Sequence, residues 1–155
     1  MSKTIIAYDI FRKEWPILAD KLNWRVSVYG LLKNSNKDIL FQKNPQFDEL
    51  NIPGGGVERG EDLSVALSRE FLEETGYSVK PTRLLDVSQN LFTFDNQYFQ
   101  NICIFYEVVT TSDKIIGIDK ADGDSEAIVW LNKKNIQLKN IQPIFQNIIK
   151  QYLCL

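Results

Sequence analysis

The sequence predicts a single α+β domain, and three features predict it. Residues 62–76 and 140–153 have helical periodicity. Several short runs elsewhere alternate or are rich in β-branched and aromatic residues. No repeat, low-complexity tract or linker divides the 155 residues. A chain of this length can bury one substantial core. Its 44% apolar and 25% charged residues are ordinary for a soluble globular protein.

Taken in order, residues 4–11 form a strand or an arm packed on the domain. Residues 14–21 have helical character, with Pro16 at an early helix position. Residues 1–23 together read as an N-terminal extension whose structure the pattern leaves open. Residues 24–32 alternate, with Trp24, Val26, Val28 and Gly30 on one face and Arg25, Ser27 and Tyr29 on the other. The polar cluster at 34–38 is a turn, and residues 39–42 resume as a strand, which predicts a hairpin. A polar loop at 44–49 carries Pro45 and an isolated Phe47. Leu50, Asn51, Ile52 and Pro53 then lead into Gly54, Gly55 and Gly56.

The first helix should start at Asp62, a good N-cap, and stop at Gly76, which suits the left-handed position after a helix. At about 100° per residue, Leu63, Ala66 and Leu67 form a stripe, and Glu70, Glu73 and Glu74 fall on nearly the same side further along. Val65 and Leu72 lie opposite, which predicts packing on two faces. The apolar stripe turns into carboxylates where a core helix would continue with Leu or Ala. Downstream, residues 83–88 and 91–94 are two strand-like runs followed by a turn at Asp95 and Asn96. Residues 101–110 are the strongest strand, residues 112–124 an irregular loop, and residues 127–131 a last short strand. Ile141, Ile144, Phe145, Ile148, Ile149 and Tyr152 define the C-terminal helix.

Composition removes several classes of function. There is no histidine, so His-based triads, His zinc sites and histidine general bases are excluded. A net charge of −2 offers no basic footprint for a nucleic acid polymer. Cys103 and Cys154 make no disulfide framework and fit a reducing compartment. The apolar run near the N-terminus is short and broken by Asp9, unlike a signal peptide or a membrane span. A cytoplasmic enzyme that does not contact membranes is the simplest expectation.

Glu70, Glu73 and Glu74, at i, i+3 and i+4, can converge on one site, and their mutual repulsion wants a cation. Mg²⁺ takes oxygen ligands, keeps several waters and typically binds one or two carboxylates plus phosphate oxygens. A glycine turn before the helix allows close approach of backbone. Arg69 can orient a carboxylate, contact phosphate or pair structurally. Taken alone, the acidic cluster could equally be a solvated face, and the glycines an ordinary turn.

Gly55, then Glu61, then Arg69-Glu70-Phe71-Leu72-Glu73-Glu74-Thr75-Gly76-Tyr77 resembles the Nudix box throughout, with Phe71 and Tyr77 in its bulky apolar slots. The likeness extends weakly through Ile52-Pro53-Gly54-Gly55, the strand near residue 104, and Glu126 before Trp130. Leu50 departs from it, standing where many relatives carry Trp. The resemblance implies an α/β/α sandwich, a mixed β-sheet flanked by the catalytic helix and a C-terminal helix. It implies a Mg²⁺- or Mn²⁺-dependent pyrophosphohydrolase. Glu70 and Glu74 would be the main metal ligands, with Glu73 as a third or water-mediated ligand and the Gly54 carbonyl as an extra one. Glu70 would also serve as base, Arg69 would hold a carboxylate, and Glu61 would pair with Arg69. A late acidic ligand would come from Asp122, Asp124 or Glu126, with Glu126 favoured.

The expected partner is a nucleotide-type small molecule, with a nucleoside triphosphate or sugar nucleotide favoured, acting on a monomer or homodimer. The alternative is a Nudix-fold module that senses a nucleotide without hydrolysing it. Two markers of family subsets are absent: Phe92 stands where ADP-ribose hydrolases carry proline, and residues 93–95 lack the tyrosine of dinucleoside polyphosphate hydrolases. Phe47, Phe92, Phe94, Tyr98 and Phe99 are candidates for stacking a base, and Arg25, Lys43 and Arg59 for meeting phosphates.

Overall fold

The computed structural model describes residues 2–9, 11–43, 49–111 and 128–154. Strands β1 (Thr4–Tyr8) and β2 (Glu14–Leu18) pair antiparallel. Asp9 builds the turn between them by accepting hydrogen bonds from the Phe11 and Lys13 amides and the Trp15 indole. The helical expectation for residues 14–21 is therefore wrong: five of them are strand and only Ala19–Lys21 make a 3₁₀ turn. Pro16 fits because β2 is the outermost strand of its sheet, where a missing amide costs little.

Next come β3 (Leu22–Leu32), β4 (Ile39–Lys43), β5 (Leu50–Asn51) and β6 (Gly54–Gly56). The turn at Asn34 forms as expected, but the hairpin it joins is minimal. Lys33 and Ile39 make one bridge, and then β3 and β4 part into different sheets. Helix α1 (Leu63–Thr75) is capped by Asp62, whose carboxylate accepts from the Ser64 amide at 2.8 Å, and ends at Gly76 with φ 74°.

The two runs read at 83–94 are one strand, β7 (Val79–Phe94), kinked by bulges at 81–83 and 84–86. Asp95 and Asn96, both at positive φ, close a two-residue hairpin into β8 (Gln97–Thr110). Strand β9 (Ile128–Leu131) and helix α2 (Pro143–Leu153) complete the described chain. Pro143 sets the start of α2, so Asn140, Ile141 and Gln142 precede the helix.

The larger sheet runs β2-β1-β7-β8-β3-β6, with β1–β7 and β3–β8 parallel and the other neighbours antiparallel; β5-β4-β9 form a second sheet. Alternation along β3 sends Val28 and Leu32 to one face, where they pack with Ala66, Leu67 and Phe71 of α1. Leu31 goes to the other face, with Phe145, Ile148 and Ile149 of α2. The helices thus cover opposite faces of the sheet layer, the expected α/β/α arrangement. Gly30 is required because a Cβ there would lie 2.9 Å from the Phe71 ring. Packing of α1 on two faces does not occur: Val65 is 56% exposed, and the core stripe is Ala66, Leu67, Phe71 and Thr75. That stripe leaves Glu70 and Glu74 on the flank of α1 that meets β6.

Candidate active site

Three glycines make β6, and their alternation decides what stands on each side. A Cβ on Gly55 would come 2.4 Å from Glu70 Oε2, and one on Gly56 would come 2.5 Å from Arg25 Nη2. Gly54, at φ 139°, admits no side chain, since a Cβ would strike the Val28 carbonyl at 2.1 Å. The strand therefore has the α1 carboxylates on one side and Arg25 on the other.

Arg69 joins these parts. Its Nε and Nη2 donate to Glu61 Oε1 and Oε2, both at 2.9 Å, a bidentate pair. Nη1 donates to Glu70 Oε1 at 3.0 Å and Nη2 to the Gly56 carbonyl at 3.1 Å. The guanidinium, with help from the Glu58 amide, holds the Glu61 carboxyl down at about 2 against its usual 4.5. In turn Glu61 first, then Glu70, raise the affinity of Arg69 for its proton above the usual level. Arg69 is thus a permanent cation that fixes one oxygen of Glu70.

Glu74 accepts from the Gly54 amide at 2.8 Å, so Glu70 and Glu74, one helical turn apart, both reach β6. Glu73 does not join them as the spacing suggests. Its side chain is 60% exposed and lies 3.5 Å from Arg69. Among the described residues no three acidic or cysteine side chains are arranged to hold a metal. Two carboxylates beside open backbone are nonetheless the oxygen-donor set that Mg²⁺ favours when it keeps waters and takes phosphate oxygens. The Gly55 gap is just wide enough to admit the Glu70 carboxylate. The residues present therefore fit such an ion. Glu126, with Asp122 and Asp124, lies outside the described residues, as does Phe47.

Beyond Arg25 opens a cavity of about 720 Å³, a size suited to a nucleotide-sized ligand. Cross-strand register builds its floor in two rows. Arg25 of β3, Asn101 of β8 and Asn90 of β7 form one; Phe92 of β7 and Tyr8 of β1 form the next. Phe92 stacks on Phe99 of β8 with centroids 5.1 Å apart, and Phe94 and the partly buried Tyr29 complete the aromatic walls. Burial drives the Tyr29 phenol well above its usual range. Arg12, from the β1–β2 turn, pairs with Glu49, and both line the cavity. Among the stacking candidates, Phe92 and Phe94 do line the cavity. Asn90, Asn101 and Tyr8 were not singled out beforehand; the only signal for them is the period-2 placement of polar side chains between apolar ones.

Residues 23–152 match the NUDIX domain family. An ADP-ribose pyrophosphatase of Methanocaldococcus jannaschii is 29% identical over 130 residues, which is 83% of this chain and 72% of that protein. An RNA pyrophosphohydrolase of Psychrobacter cryohalolentis is 32% identical over 73 residues, 47% of this chain and 42% of that protein. A NUDIX hydrolase structure from Nitrosomonas europaea aligns with a TM-score of 0.63 at 22% identity, over 85% of this chain and 90% of the other, a likeness of fold. The matched region holds the glycine strand, Arg69 and all three helix carboxylates, and with them this chain belongs to the NUDIX family and is a Nudix-type hydrolase.

Proposed function

We propose that this enzyme hydrolyses the pyrophosphate linkage of a nucleoside diphosphate joined to another group, with Mg²⁺ or Mn²⁺ as its ion and a nucleoside triphosphate or sugar nucleotide as substrate. The observation that carries the reading is the placement of β6. Carboxylates Glu70 and Glu74 stand on one side of it, and a cation at the mouth of a nucleotide-sized cavity stands on the other. Glu70 and Glu74 would hold the ion, with the Gly54 carbonyl beside them, Glu73 through water, and Glu126 as the late acidic ligand. When bound, the ion neutralises phosphate charge and favours ionised water.

The side chains divide the remaining work. Arg69 fixes Glu70 through Oε1, leaving Oε2 toward Gly55 as the oxygen that can take a proton from the attacking water. Arg25 has no carboxylate partner among the described residues and lies against Gly56, where it would steady phosphate oxygens of a ligand leaving the cavity. The aromatic walls would hold the base and keep water from it. The cysteines Cys103 and Cys154 are both unpaired, which supports a reducing, cytoplasmic setting. No described helix is long and apolar enough to cross a membrane.

Purified protein should release phosphate or pyrophosphate from a panel of nucleoside triphosphates, sugar nucleotides and dinucleotides only with Mg²⁺ or Mn²⁺. Glu70→Gln and Glu74→Gln should each lower kcat about a hundredfold or more. Full activity in both variants would refute these roles. Nucleotide binding without turnover of any substrate would make the chain a sensor instead.

A further inference from the structure

We infer that the cavity selects nucleobases bearing a carbonyl on the recognised edge, guanine, hypoxanthine or uracil, over those bearing an amino group there. The inference rests on the cavity being the base site of the proposed hydrolase. Its basis is the polarity of the buried floor. Arg25 can only donate, and its Nε points at Ser27 Oγ at 3.4 Å. Ser27 is 1% exposed, and its hydroxyl donates to Asn101 Oδ1 at 2.9 Å. With Asn101 Oδ1 held by that bond, the amide nitrogen faces the other way, toward Asn90 and Cys103.

Asn101, itself 2% exposed, must then present its amide hydrogens to Asn90 Oδ1 at 3.2 Å and Cys103 Sγ at 3.1 Å. The Cys103 thiol lies 3.4 Å from the same Asn90 oxygen, and burial raises its pKa to about 11, so it keeps its proton to donate. Asn90 Oδ1 therefore receives two donors, and the Asn90 amide nitrogen is turned away from the network. That nitrogen donates to no described group, and Asn90 lines the cavity. The floor thus offers a base the N–H donors of the Asn90 amide, beside the Phe92 side chain. A base carbonyl completes these bonds, whereas an exocyclic amino group sets donor against donor.

Equilibrium binding of nucleoside monophosphates tests this, because they carry no pyrophosphate to cleave. The pairs IMP/AMP and UMP/CMP differ at the recognised group with the ring size kept. By calorimetry, IMP and UMP should bind about tenfold or more tighter than AMP and CMP. Asn90→Asp, which replaces the donor by an acceptor of the same shape, should erase or invert that ratio. The melting temperature of the variant without ligand reports whether it folds, and Asn90→Ser, smaller and able to donate or accept, should lower the ratio without inverting it. Equal affinities within either pair in the wild-type protein, or an unchanged ratio in Asn90→Asp, would overturn the inference. If the monophosphates bind without discrimination while pyrophosphate hydrolysis persists, only the base preference fails. If none binds and no substrate is cleaved, the nucleotide reading fails with it.

Discussion

Gly55→Ala separates the chemistry of this site from its stability. Gly55 is not in the left-handed region, so alanine can adopt its backbone, and the substitution should carry no backbone penalty. The atoms nearest the added methyl all belong to the Glu70 carboxylate, the far end of a side chain. The methyl would stand 2.4 Å from Glu70 Oε2, where ordinary contact starts near 3.4 Å, so the carboxylate must retreat by about 1 Å. The 3.0 Å bond from Arg69 to the other Glu70 oxygen resists that retreat. A misplacement of about 1 Å at a reacting group typically costs about a hundredfold in rate. Thermal unfolding should move little, by less than about 1 kcal/mol or about 2–4 °C. Steady-state kinetics on whichever substrate the panel identifies would give kcat/KM, and calorimetry the melting temperature. Activity within threefold of wild type would show that the Gly55 gap does not set the position of Glu70. A large fall in melting temperature would show that the glycine serves packing instead.

Two further outcomes follow from bonds made by the Glu61 and Glu107 carboxylates. The Glu61 carboxyl is held below its usual range, so the stability it contributes is complete above about pH 4.5 and is lost as pH falls toward about 2. The melting-temperature advantage of wild type over Glu61→Gln should therefore shrink across that window, and a constant gap would refute the coupling. On the opposite face, Tyr152 donates to Glu107 at 2.6 Å and ties α2 to β8. Tyr152→Phe should cost about 1 kcal/mol and lower the melting temperature by about 2–4 °C, measured by calorimetry at neutral pH.

The carboxylate helix was legible because its signals are local. Asp62, Gly76 and the spacing of Glu70, Glu73 and Glu74 lie within one element, and each acts through neighbours a few residues away. Even there, spacing along a helix does not say which flank meets another strand, and Glu73 is the carboxylate that stays exposed. Residues 14–21, expected to be helical, have no alternation of their own, and pairing with β1 makes β2 a strand. The cavity floor was illegible for the same reason. Arg25, Asn90 and Asn101 become neighbours only through the registers of β3, β8 and β7.

The parallel contact between Tyr8 and Phe92 has one more consequence. Arg69 finds Glu61 eight residues away, and Gly54 finds Glu74 twenty away. The cavity, by contrast, is walled by the first strand and the last helix, whose docking closes loops spanning most of the chain. The proposed chemistry thus sits in one short segment, whereas the cavity is completed by β1 and α2, far apart along the chain. Changes in β1 or α2 can therefore reshape the cavity without touching the segment that carries Glu70 and Glu74.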